Sequence, residues 1–350
     1  MDKINIILEK LIKEHSLTEA EYKFLIENRT EEIREKLAKA AESAKRSVYG
    51  DKIFIRGLIE ISNICKNDCL YCGIRKSNWK CERYRLSKEE ILSCCENGFN
   101  LGFRTFVLQG GEDGYFSDER LIEIIQEIKK RYPECAITLS LGERTKESYK
   151  ALKAAGADRY LLRHETAQEM HYNLLHPKEL SFKNRIKCLR DLKEIGYQVG
   201  CGFMVGSPYQ TAESLAKDFK FIEEFSPEMC GIGPFIPCDN TPFEKFPQGS
   251  LELTLFCLAV VRLIKPNILL PATTALNTIS EDGRLQGIKH GANVIMPNLS
   301  PSSAKEKYML YNGKANINLE AAAGIEKLKE IILSIGHRIS MDRGDIVKEK

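Results

Sequence analysis

Short apolar runs alternate with amphipathic stretches from about residue 53 onward, and this alternation is the strongest constraint on the fold. The strand candidates are FIRGLIEIS, RTFVLQG, AITLSLG, RYLLRHE, YQVGCGFMVG, CGIGPFIP, ILLPATT and NVIMPN, with helix candidates near 87–101, 118–131, 145–155, 181–195, 211–225, 251–265, 282–290 and 319–335. Eight strand-helix units predict an α/β fold whose parallel sheet closes into a complete (βα)8 barrel of the TIM type. A doubly wound open sheet is the alternative, but a phosphate-binding glycine loop usually follows its first strand.

The first 50 residues predict two or three helices. IILEKLIKEH has apolar residues at helical spacing, a capping-type sequence runs from Ser16 to Glu19, and EEIREKLAKAAESAKRSVYG is rich in helix formers. We therefore predict an N-terminal helical layer in residues 1–50, packed on a barrel in residues 51–350 that ends in a helix. The sequence has no linker, low-complexity tract or short repeat, so the two parts are expected to form one domain.

Composition excludes several classes of function. The chain has 350 residues, 43% of them hydrophobic, and a net charge of +3 with acids and bases mixed, which gives no case for nucleic acid or a polyanionic surface as partner. No apolar run is long enough for a membrane span, and the N-terminus lacks the features of a signal peptide. Twelve cysteines are too few for a disulfide scaffold of this size. We expect a cytoplasmic protein with free thiols.

Three cysteines, Cys65, Cys69 and Cys72, follow the first predicted strand at C-x3-C-x2-C spacing. Three thiolates on one loop can hold three irons of a four-iron cluster and leave the fourth iron open to a small molecule. Zinc is one alternative, with Cys81 as a fourth ligand, and three ordinary buried thiols are another. The neighbouring polar residues and glycine weigh against simple core packing.

Polar residues also stand where the later strands end, and chemistry is usually found at that end of a barrel. The second strand ends in Gln109-Gly110-Gly111-Glu112, and Thr138 and Ser140 share one face of the third. Arg159, Arg163 and Glu165 alternate along the fourth strand, so they share a face as well. If that face is the interior, the charges predict a polar cavity, and if not, they face helices or solvent. His164 lies on the opposite face and is predicted to be structural.

The cysteine spacing, with the aromatic Tyr71 before Cys72, resembles the signature of the radical SAM enzymes. The resemblance implies one [4Fe-4S] cluster whose open iron is chelated by the amino and carboxylate groups of S-adenosyl-L-methionine (SAM). One electron from an external donor then cleaves the sulfonium and yields a 5'-deoxyadenosyl radical. The SAM contacts implied by the family's motifs are Tyr71, Gly110, Gly111, Glu112, Ser140, Glu165, Arg185 and Met204.

Within that family, the segments RHETA, GIGPFIP, PATTA and ANVIMPN are similar to the HydE group of FeFe-hydrogenase maturases over residues 53–312. This implies that the radical attacks the sulfur of a small iron carbonyl-cyanide cysteine complex supplied by HydG. The product then passes toward the scaffold HydF in assembly of the H-cluster. The resemblance also implies a closed cavity inside the barrel, lined by Gln109, Thr138, Arg159, Arg163, Thr273, Thr274, Met296 and Tyr308.

Two alternatives and one departure accompany this resemblance. The chain also resembles methylornithine synthase and biotin synthase, so an amino-acid mutase of the methylornithine synthase kind is one alternative. An iron–sulfur or zinc protein used for binding or scaffolding is the other. Some HydE proteins carry a second cluster on C-terminal cysteines, but no cysteine follows Cys257 here. We therefore expect no second cluster in the stretch from Lys314 to Lys327.

Overall fold

Eleven short strands provide the framework of the described part of the protein. The computed structural model describes residues 3–314 and 324–348. The strands in this part of the chain are β1 (Lys52–Ile55), β2 (Gly57–Ser62), β3 (Thr105–Gly110), β4 (Ala136–Ser140), β5 (Arg159–Leu161), β6 (Gln198–Cys201), β7 (Met204–Val205), β8 (Met229–Cys230), β9 (Gly233–Pro234), β10 (Val294–Ile295) and β11 (Arg338–Ser340).

The strands pair in parallel, and most of them follow the order of the chain. Six form one sheet in the order β2-β3-β4-β5-β6-β8. Single bridges then continue the pairing, from Met229 to Leu269 and from Pro271 to Val294, and β10 pairs with β1. The β7–β9 pair extends the neighbouring β6 and β8 toward their carboxyl side. The predicted α/β fold of the TIM-barrel type is confirmed.

Helices separate the strands and pack outside them. Those of the described chain are α1 (Lys3–Glu14), α2 (Glu19–Glu27), α3 (Glu31–Tyr49), α4 (Lys88–Asn100), α5 (Asp118–Arg131), α6 (Lys146–Ala155), α7 (Glu169–Leu175), α8 (Phe182–Ile195), α9 (Ala212–Phe225), α10 (Leu251–Ile264), α11 (Thr274–Ile279), α12 (Gly283–Lys289), α13 (Ser302–Lys305) and α14 (Ile325–Ser334). The sequence analysis places most of them well but misses α7, α11 and α13, which are too short for a helical period to stand out. Part of the last helix candidate, residues 319–323, lies outside the described residues.

Three helices precede the first strand and pack against later ones. The second, α2, contacts α9, and α3 contacts α10 and α12. The Tyr22 hydroxyl donates to Glu223 at 3.0 Å, and Arg29 forms an ion pair with Glu252. The predicted capping residue is wrong by two positions, because the cap is formed by Thr18 with Glu21. Ser16 with Glu19 and Thr18 with Glu21 both match the Ser/Thr-x-x-Glu pattern, and only the second pair forms the capping box in the structure.

The C-terminal segment covers the amino ends of the strands, which the sequence analysis does not foresee. Strand β11 pairs with β1, and the carbonyl of Arg343 accepts a hydrogen bond from Thr105, the first residue of β3. Arg159, which is fully buried, donates to the same carbonyl and forms an ion pair with Asp345 at 2.6 Å. The charge of the buried Arg159 side chain is therefore neutralised by Asp345 in the C-terminal segment.

This geometry corrects the expectation that Arg159 lines the substrate cavity. Arg159 and Arg163 share a strand face in sequence, but four residues of strand separate them by about 13 Å along the barrel. The hydrogen bonds of Arg159 to Thr105, Arg343 and Asp345 all lie at the amino end, whereas the cysteine loop follows the carboxyl end of β2. Arg159 is a structural residue.

We expect Asp345→Asn to lower the free energy of unfolding by about 2 kcal/mol, because it leaves the Arg159 charge buried and unpaired. The figure is reduced from that of a fully buried pair since Asp345 is partly exposed. Asp342→Asn is the matched control, because the pair of Asp342 with Lys52 is exposed, and it should cost less than about 0.5 kcal/mol. Equal effects of the two variants in urea unfolding would contradict this account.

The same pair predicts a pH dependence. Burial alone would raise the pKa of Asp345, but the hydrogen bond from Arg343 and the charge of Arg159 outweigh it and hold the pKa well below its usual value. The stabilisation is therefore present above the unfolded-state pKa near about 4 and is lost as the pH falls through the lower folded-state pKa. The stability difference between wild type and Asp345→Asn should shrink in acid.

Candidate active site

The loop that follows β2 carries the three cysteines and is fixed at three points by backbone hydrogen bonds. Lys66 N–H donates to the carbonyl of Glu112 after β3, and Leu70 N–H donates to Leu175 at the end of α7. The N–H of Gly73 donates to Leu310, beyond β10. The cysteines therefore lie among segments from three different parts of the barrel rim.

Side chains inside the loop hold its shape as well. Asn63 donates to the carbonyls of Glu82 and Lys307, at 2.8 and 2.7 Å. Asp68 accepts hydrogen bonds from Arg75 and Ser77. These contacts explain the polar residues around the cysteines, because each satisfies a backbone or charged group that the loop leaves open.

The surroundings of the three thiols fit a bound metal cluster. Burial raises the pKa of Cys65, raises that of Cys69 to about 12 and raises that of Cys72 well above its usual value. Thiols in such a site become thiolates when bound cations replace the lost solvation. The N–H of Glu112 already points at the sulfur of Cys65 at 3.4 Å, and such hydrogen bonds tune thiolates that ligate iron–sulfur clusters.

A preformed site for a single metal ion is absent from the described residues, 3–314 and 324–348. Cys81, the fourth zinc ligand considered above, is instead 3.6 Å from the amide nitrogen of Asn63. The zinc alternative therefore has no converged ligand set in this part of the chain.

The glycine turn after β3 lies directly against the cysteine loop. A Cβ on Gly111 would come within 2.3 Å of the carbonyl oxygen of Ile64 and 2.8 Å of the Cβ of Cys65, so only glycine fits. The Glu112 carboxylate accepts from the N–H of Glu143 at 2.9 Å and forms an ion pair with Lys66. Its side chain therefore braces the next loop, and the backbone of Gly110 and Gly111 remains the part of the turn that can meet a ligand.

Glu165, after β5, has a strained backbone. Its φ is +65°, which is unfavourable for a residue with a side chain and costs of order 1 kcal/mol. Its N–H donates to Gly202 at 2.9 Å and its carbonyl accepts from Met204 at 3.3 Å, so both backbone groups are tied to the β6–β7 segment. The carboxylate is buried and one of its oxygens, Oε2, has no hydrogen-bond partner among the described residues. Such strain at a buried carboxylate indicates a functional position.

A fully buried pair, His164 and Asp218, brackets this strained residue. The N–H of Gly202 donates to Nδ1 of His164, so the Nε2–H of the neutral ring donates to Asp218 at 3.2 Å. The same Asp218 oxygen accepts from the N–H of Ala167 at 2.6 Å. Burial, together with the charge of Arg163, lowers the pKa of His164 to about 3, and burial raises the pKa of Asp218. The structural role predicted for His164 fits these contacts. Asp218 bonds His164, before Glu165 in the chain, and the N–H of Ala167, after it.

Arg185, in the first turn of α8, is buried next to the strand ends. Its Nε donates to Glu143 at 2.5 Å and its Nη1 donates to the carbonyl of Arg163 at 2.6 Å. Burial would lower its pKa, but the neighbouring Tyr172 side chain and the charge and hydrogen bond of Glu143 outweigh this and raise it above the usual value. The side chain is therefore a permanent cation, and its charge acts on Cys69.

The remaining residues assigned to SAM surround the cysteine loop from other strands. The Tyr71 hydroxyl lies 3.2 Å from Nε2 of His176. Met204, in β7, is buried with Leu175 in a small apolar cluster against which Tyr71 packs. Ser140 ends β4 and pairs in register with Gln109. These positions form one rim with the cysteines, which leaves the SAM contacts as a proposal that the geometry supports.

Several buried polar groups below this rim lack partners. Among the residues that the structure describes, no hydrogen bond reaches the hydroxyls of Thr138 and Thr273 or the Nε and Nη2 of Arg163. Arg163 Nη2 does lie 3.1 Å from Glu165 Oε2, as an ion pair without hydrogen-bond geometry. Unpaired buried donors are costly and point to a ligand or ordered water that completes them.

The other predicted cavity residues occupy the same barrel interior or its edge. Gln109 donates to the hydroxyl of buried Tyr308 at 3.4 Å. Met296 keeps part of its surface exposed while Ile295 and Pro297 are buried. Thr274 begins α11, and its carbonyl accepts from Thr278. Of the eight cavity residues predicted, seven remain candidates and Arg159 does not.

Two residues of the site escape the sequence analysis. Glu143 lies three residues beyond the end of β4, so its place after a strand was a usable signal. Asp218 lies on the apolar face of α9 beside Leu215 and Phe219, where a charged residue is unusual. A charge on a buried helix face was the signal that could have found it.

Comparison with known proteins agrees with this site. Residues 59–222 match the model of the radical SAM superfamily. The chain is 42% identical to the FeFe hydrogenase maturase subunit HydE of Thermotoga maritima over 97% of this chain and 96% of that protein. It is 30% identical to 3-methylornithine synthase of Methanosarcina acetivorans over 93% and 90% of the two chains. The crystal structure of methylornithine synthase (PylB) has a TM-score of 0.84 at 27% identity, over 95% and 97% of the chains.

The fold, the cysteine loop and these matches define a radical SAM enzyme, which uses a [4Fe-4S] cluster and SAM. Within that superfamily, the chain belongs to the HydE family of FeFe-hydrogenase maturases. In the described ranges, no helix is both long enough and apolar enough to span a membrane.

We expect Cys69→Ser to abolish cluster assembly and SAM cleavage, because two thiolates cannot replace the three-ligand set. Cys81→Ser is the matched control, since it changes the nearby cysteine outside the motif and should keep the full iron content. Iron and sulfide analysis after anaerobic reconstitution measures both. Cleavage by Cys69→Ser, or loss of the cluster in Cys81→Ser, would refute the three-thiolate site.

We expect Asp218→Ala to weaken SAM binding at least about tenfold, as changes behind a ligand often do. The change leaves the N–H groups of His164 and Ala167 without an acceptor, which frees Glu165 from its strained conformation. Asp218→Asn keeps the accepting oxygen and should restore most of the affinity. The titration follows the EPR change that SAM causes in the reduced cluster, and unchanged affinity in Asp218→Ala would remove Asp218 from this role.

Proposed function

We propose that this protein cleaves SAM reductively during FeFe-hydrogenase maturation, and that its substrate is a small iron carbonyl-cyanide cysteine complex whose sulfur is attacked. The observation that carries the proposal is the set of unpartnered buried donors on Arg163, Thr138 and Thr273, behind the cysteine loop. The HydE family membership supports the same task. Resident donors without partners suit an anionic substrate, because charge-assisted hydrogen bonds are stronger than neutral ones.

We also propose a complete (βα)8 barrel, with residues 1–50 as the N-terminal helical layer and residues 51–350 as the barrel domain. The bridges at Leu269, Pro271 and Asn298 support closure, because they connect the last strand positions back to β2. A closed ring leaves no sheet edge and encloses the interior where Thr138 and Arg163 lie. We place the enzyme in the cytoplasm, where thiols stay reduced.

Cys65, Cys69 and Cys72 would hold the cluster, and the rim residues would hold SAM. The bound pair supplies a 5'-deoxyadenosyl radical by one-electron cleavage of the sulfonium. The carbonyls of the Gly110–Gly111 turn can accept hydrogen bonds from an ammonium group, and the cation of Arg185 can neutralise a carboxylate. Glu165 can accept from ribose hydroxyls through Oε2, which is ion-paired with Arg163 but accepts no hydrogen bond from a described residue. Buried Met204 and partly buried Tyr71 would keep water from the reactive atoms.

Below SAM, the chain's own residues would bind and orient the substrate. Arg163 offers an anionic group its Nε and Nη2, which form no hydrogen bond with any described residue beyond the ion pair of Nη2 with Glu165, and the hydroxyls of Thr138 and Thr273 add weaker donors. The Gln109–Tyr308 hydrogen bond fixes the opposite wall, and Thr274 and Met296 complete the lining. The cavity is therefore built to hold a small polar anion in one orientation below the radical.

The partners follow from this assignment. HydG would supply the substrate, HydF would receive the product, and an external donor would supply the electron. A second cluster is not proposed, because the stretch from Lys314 to Lys327 has no cysteine, and residues 315–323 of it lie outside the described residues.

A second candidate function is an amino-acid mutase, which the match to 3-methylornithine synthase favours. The test is a maturation mixture that contains HydG, HydF and unmatured hydrogenase but no HydE. Addition of the protein should produce hydrogen evolution, while lysine should give no rearranged product. Rearrangement of lysine without hydrogenase activation would favour the mutase, and neither activity would leave only a binding or scaffold role.

We expect Thr273→Val and Arg163→Gln to lower substrate-dependent 5'-deoxyadenosine formation, by roughly tenfold and roughly a hundredfold, because a charged donor contributes more than a neutral one. Thr278→Val is the control, since that hydroxyl bonds the carbonyl of Thr274 instead of facing the cavity. Turnover is measured with substrate made by HydG in the same vessel. Wild-type turnover in both cavity variants would place the substrate elsewhere.

A further inference from the structure

A large aromatic side chain stands out on the loop beside the cysteines. Trp79 is 83% exposed, and it is the only tryptophan of the 350 residues. Tryptophan is usually well covered in monomers and is enriched where proteins bind one another. The backbone near it is firmly held, because Asn78 is buried and donates to the carbonyl of Gly73 at 2.7 Å. The loop therefore holds the backbone that presents Trp79 to solvent.

Positive charge is concentrated around this tryptophan. Residues 65–85 contain six basic and two acidic side chains, for a net charge of +4, whereas the whole chain carries +3. The other 329 residues therefore have a net charge of −1. Lys66 and Arg85 are paired with Glu112 and Asp113 outside this stretch, so within the described chain the exposed unpaired charge lies on the lysines next to the tryptophan. Lys76 and Lys80 flank Trp79, both are exposed, and neither forms an ion pair with any described residue. A local field of one sign attracts a partner of the opposite sign and speeds its association.

This basic surface lies directly on the cysteine loop, with no element between them. The N–H of Arg75 donates to the carbonyl of Cys72 at 3.1 Å, and the N–H of Lys76 donates to Asn67 at 2.8 Å. Ser77 donates to Asp68 from both its N–H and its hydroxyl. A redox centre docked over Trp79 would therefore lie against the segment that is hydrogen-bonded to the cysteine loop.

We propose that Trp79, Lys76 and Lys80 form the docking surface for a small acidic electron-transfer protein. This inference rests on the proposed function, which needs one electron for each SAM cleaved. In the docked complex, the reduced iron–sulfur or flavin centre of the partner loses one electron and the cluster of this protein gains it. No proton or chemical group passes between the two proteins. The exposed tryptophan gives the apolar centre of the interface and the lysines its charged rim.

The single tryptophan makes docking directly observable. The probe is an acidic bacterial ferredoxin that contains no tryptophan, added to the reconstituted protein while the fluorescence of Trp79 is recorded. We expect saturable quenching that weakens at least about tenfold when the salt concentration rises to roughly 0.5 M, because screening removes the attraction. Ferredoxin whose carboxylates have been amidated is the control and should not quench. Quenching that changes neither with salt concentration nor with amidation of the ferredoxin would overturn the proposal.

A kinetic experiment separates docking from catalysis. Lys76→Glu combined with Lys80→Glu should raise the KM for reduced ferredoxin at least about tenfold and leave dithionite-driven SAM cleavage unchanged. Lys130→Glu with Lys150→Glu, which reverses two exposed charges on outer helices, is the matched control and should change neither rate. An unaltered KM in the first variant, or an equal loss with dithionite, would overturn the docking surface. Failure of the wild type to cleave SAM with dithionite would instead overturn the proposed function.

Discussion

The placement of three partly buried thiols in a loop that satisfies its own polar groups is the constraint on which the rest of the site depends. Loss of solvation raises the pKa of Cys65, Cys69 and Cys72, so bound cations are needed to stabilise their thiolates. The loop can hold them there because Asn63 and Asp68 bond its backbone and charged groups internally. The loop is therefore ordered before the cluster binds, and cluster binding does not have to supply the free energy of ordering the loop.

The parallel barrel brings the other parts to this loop. Each strand end adds one component: the Gly110–Gly111 turn from β3, Glu143 from β4 and strained Glu165 from β5. The strain at Glu165 is opposed by the buried His164–Asp218 pair on the helix side of the same strand. The site thus draws part of its rigidity from the buried contacts of Asp218 with His164 and Ala167 behind it.

The sequence was sufficient for the fold class, the cysteines and the tight glycine turn, because each depends on local chemistry or on a regular period. The position of Arg159 could not be predicted in this way. Alternation predicts the face on which a strand residue lies but not its depth along the barrel, and the partner Asp345 is 186 residues away. The pairing of β11 with β1 and the role of Asp218 are likewise long-range contacts, which no local pattern encodes. Short helices such as α7 were missed because they span too few residues to show a period.

The central claim is that three cysteines hold a four-iron cluster with one iron left open for SAM. The most direct test is EPR of the anaerobically reconstituted and reduced protein, recorded with and without SAM. The account predicts the signal of a reduced four-iron cluster that changes when SAM is added, since SAM binds the open iron. Absence of a cluster, or a cluster signal that SAM does not alter, would contradict it.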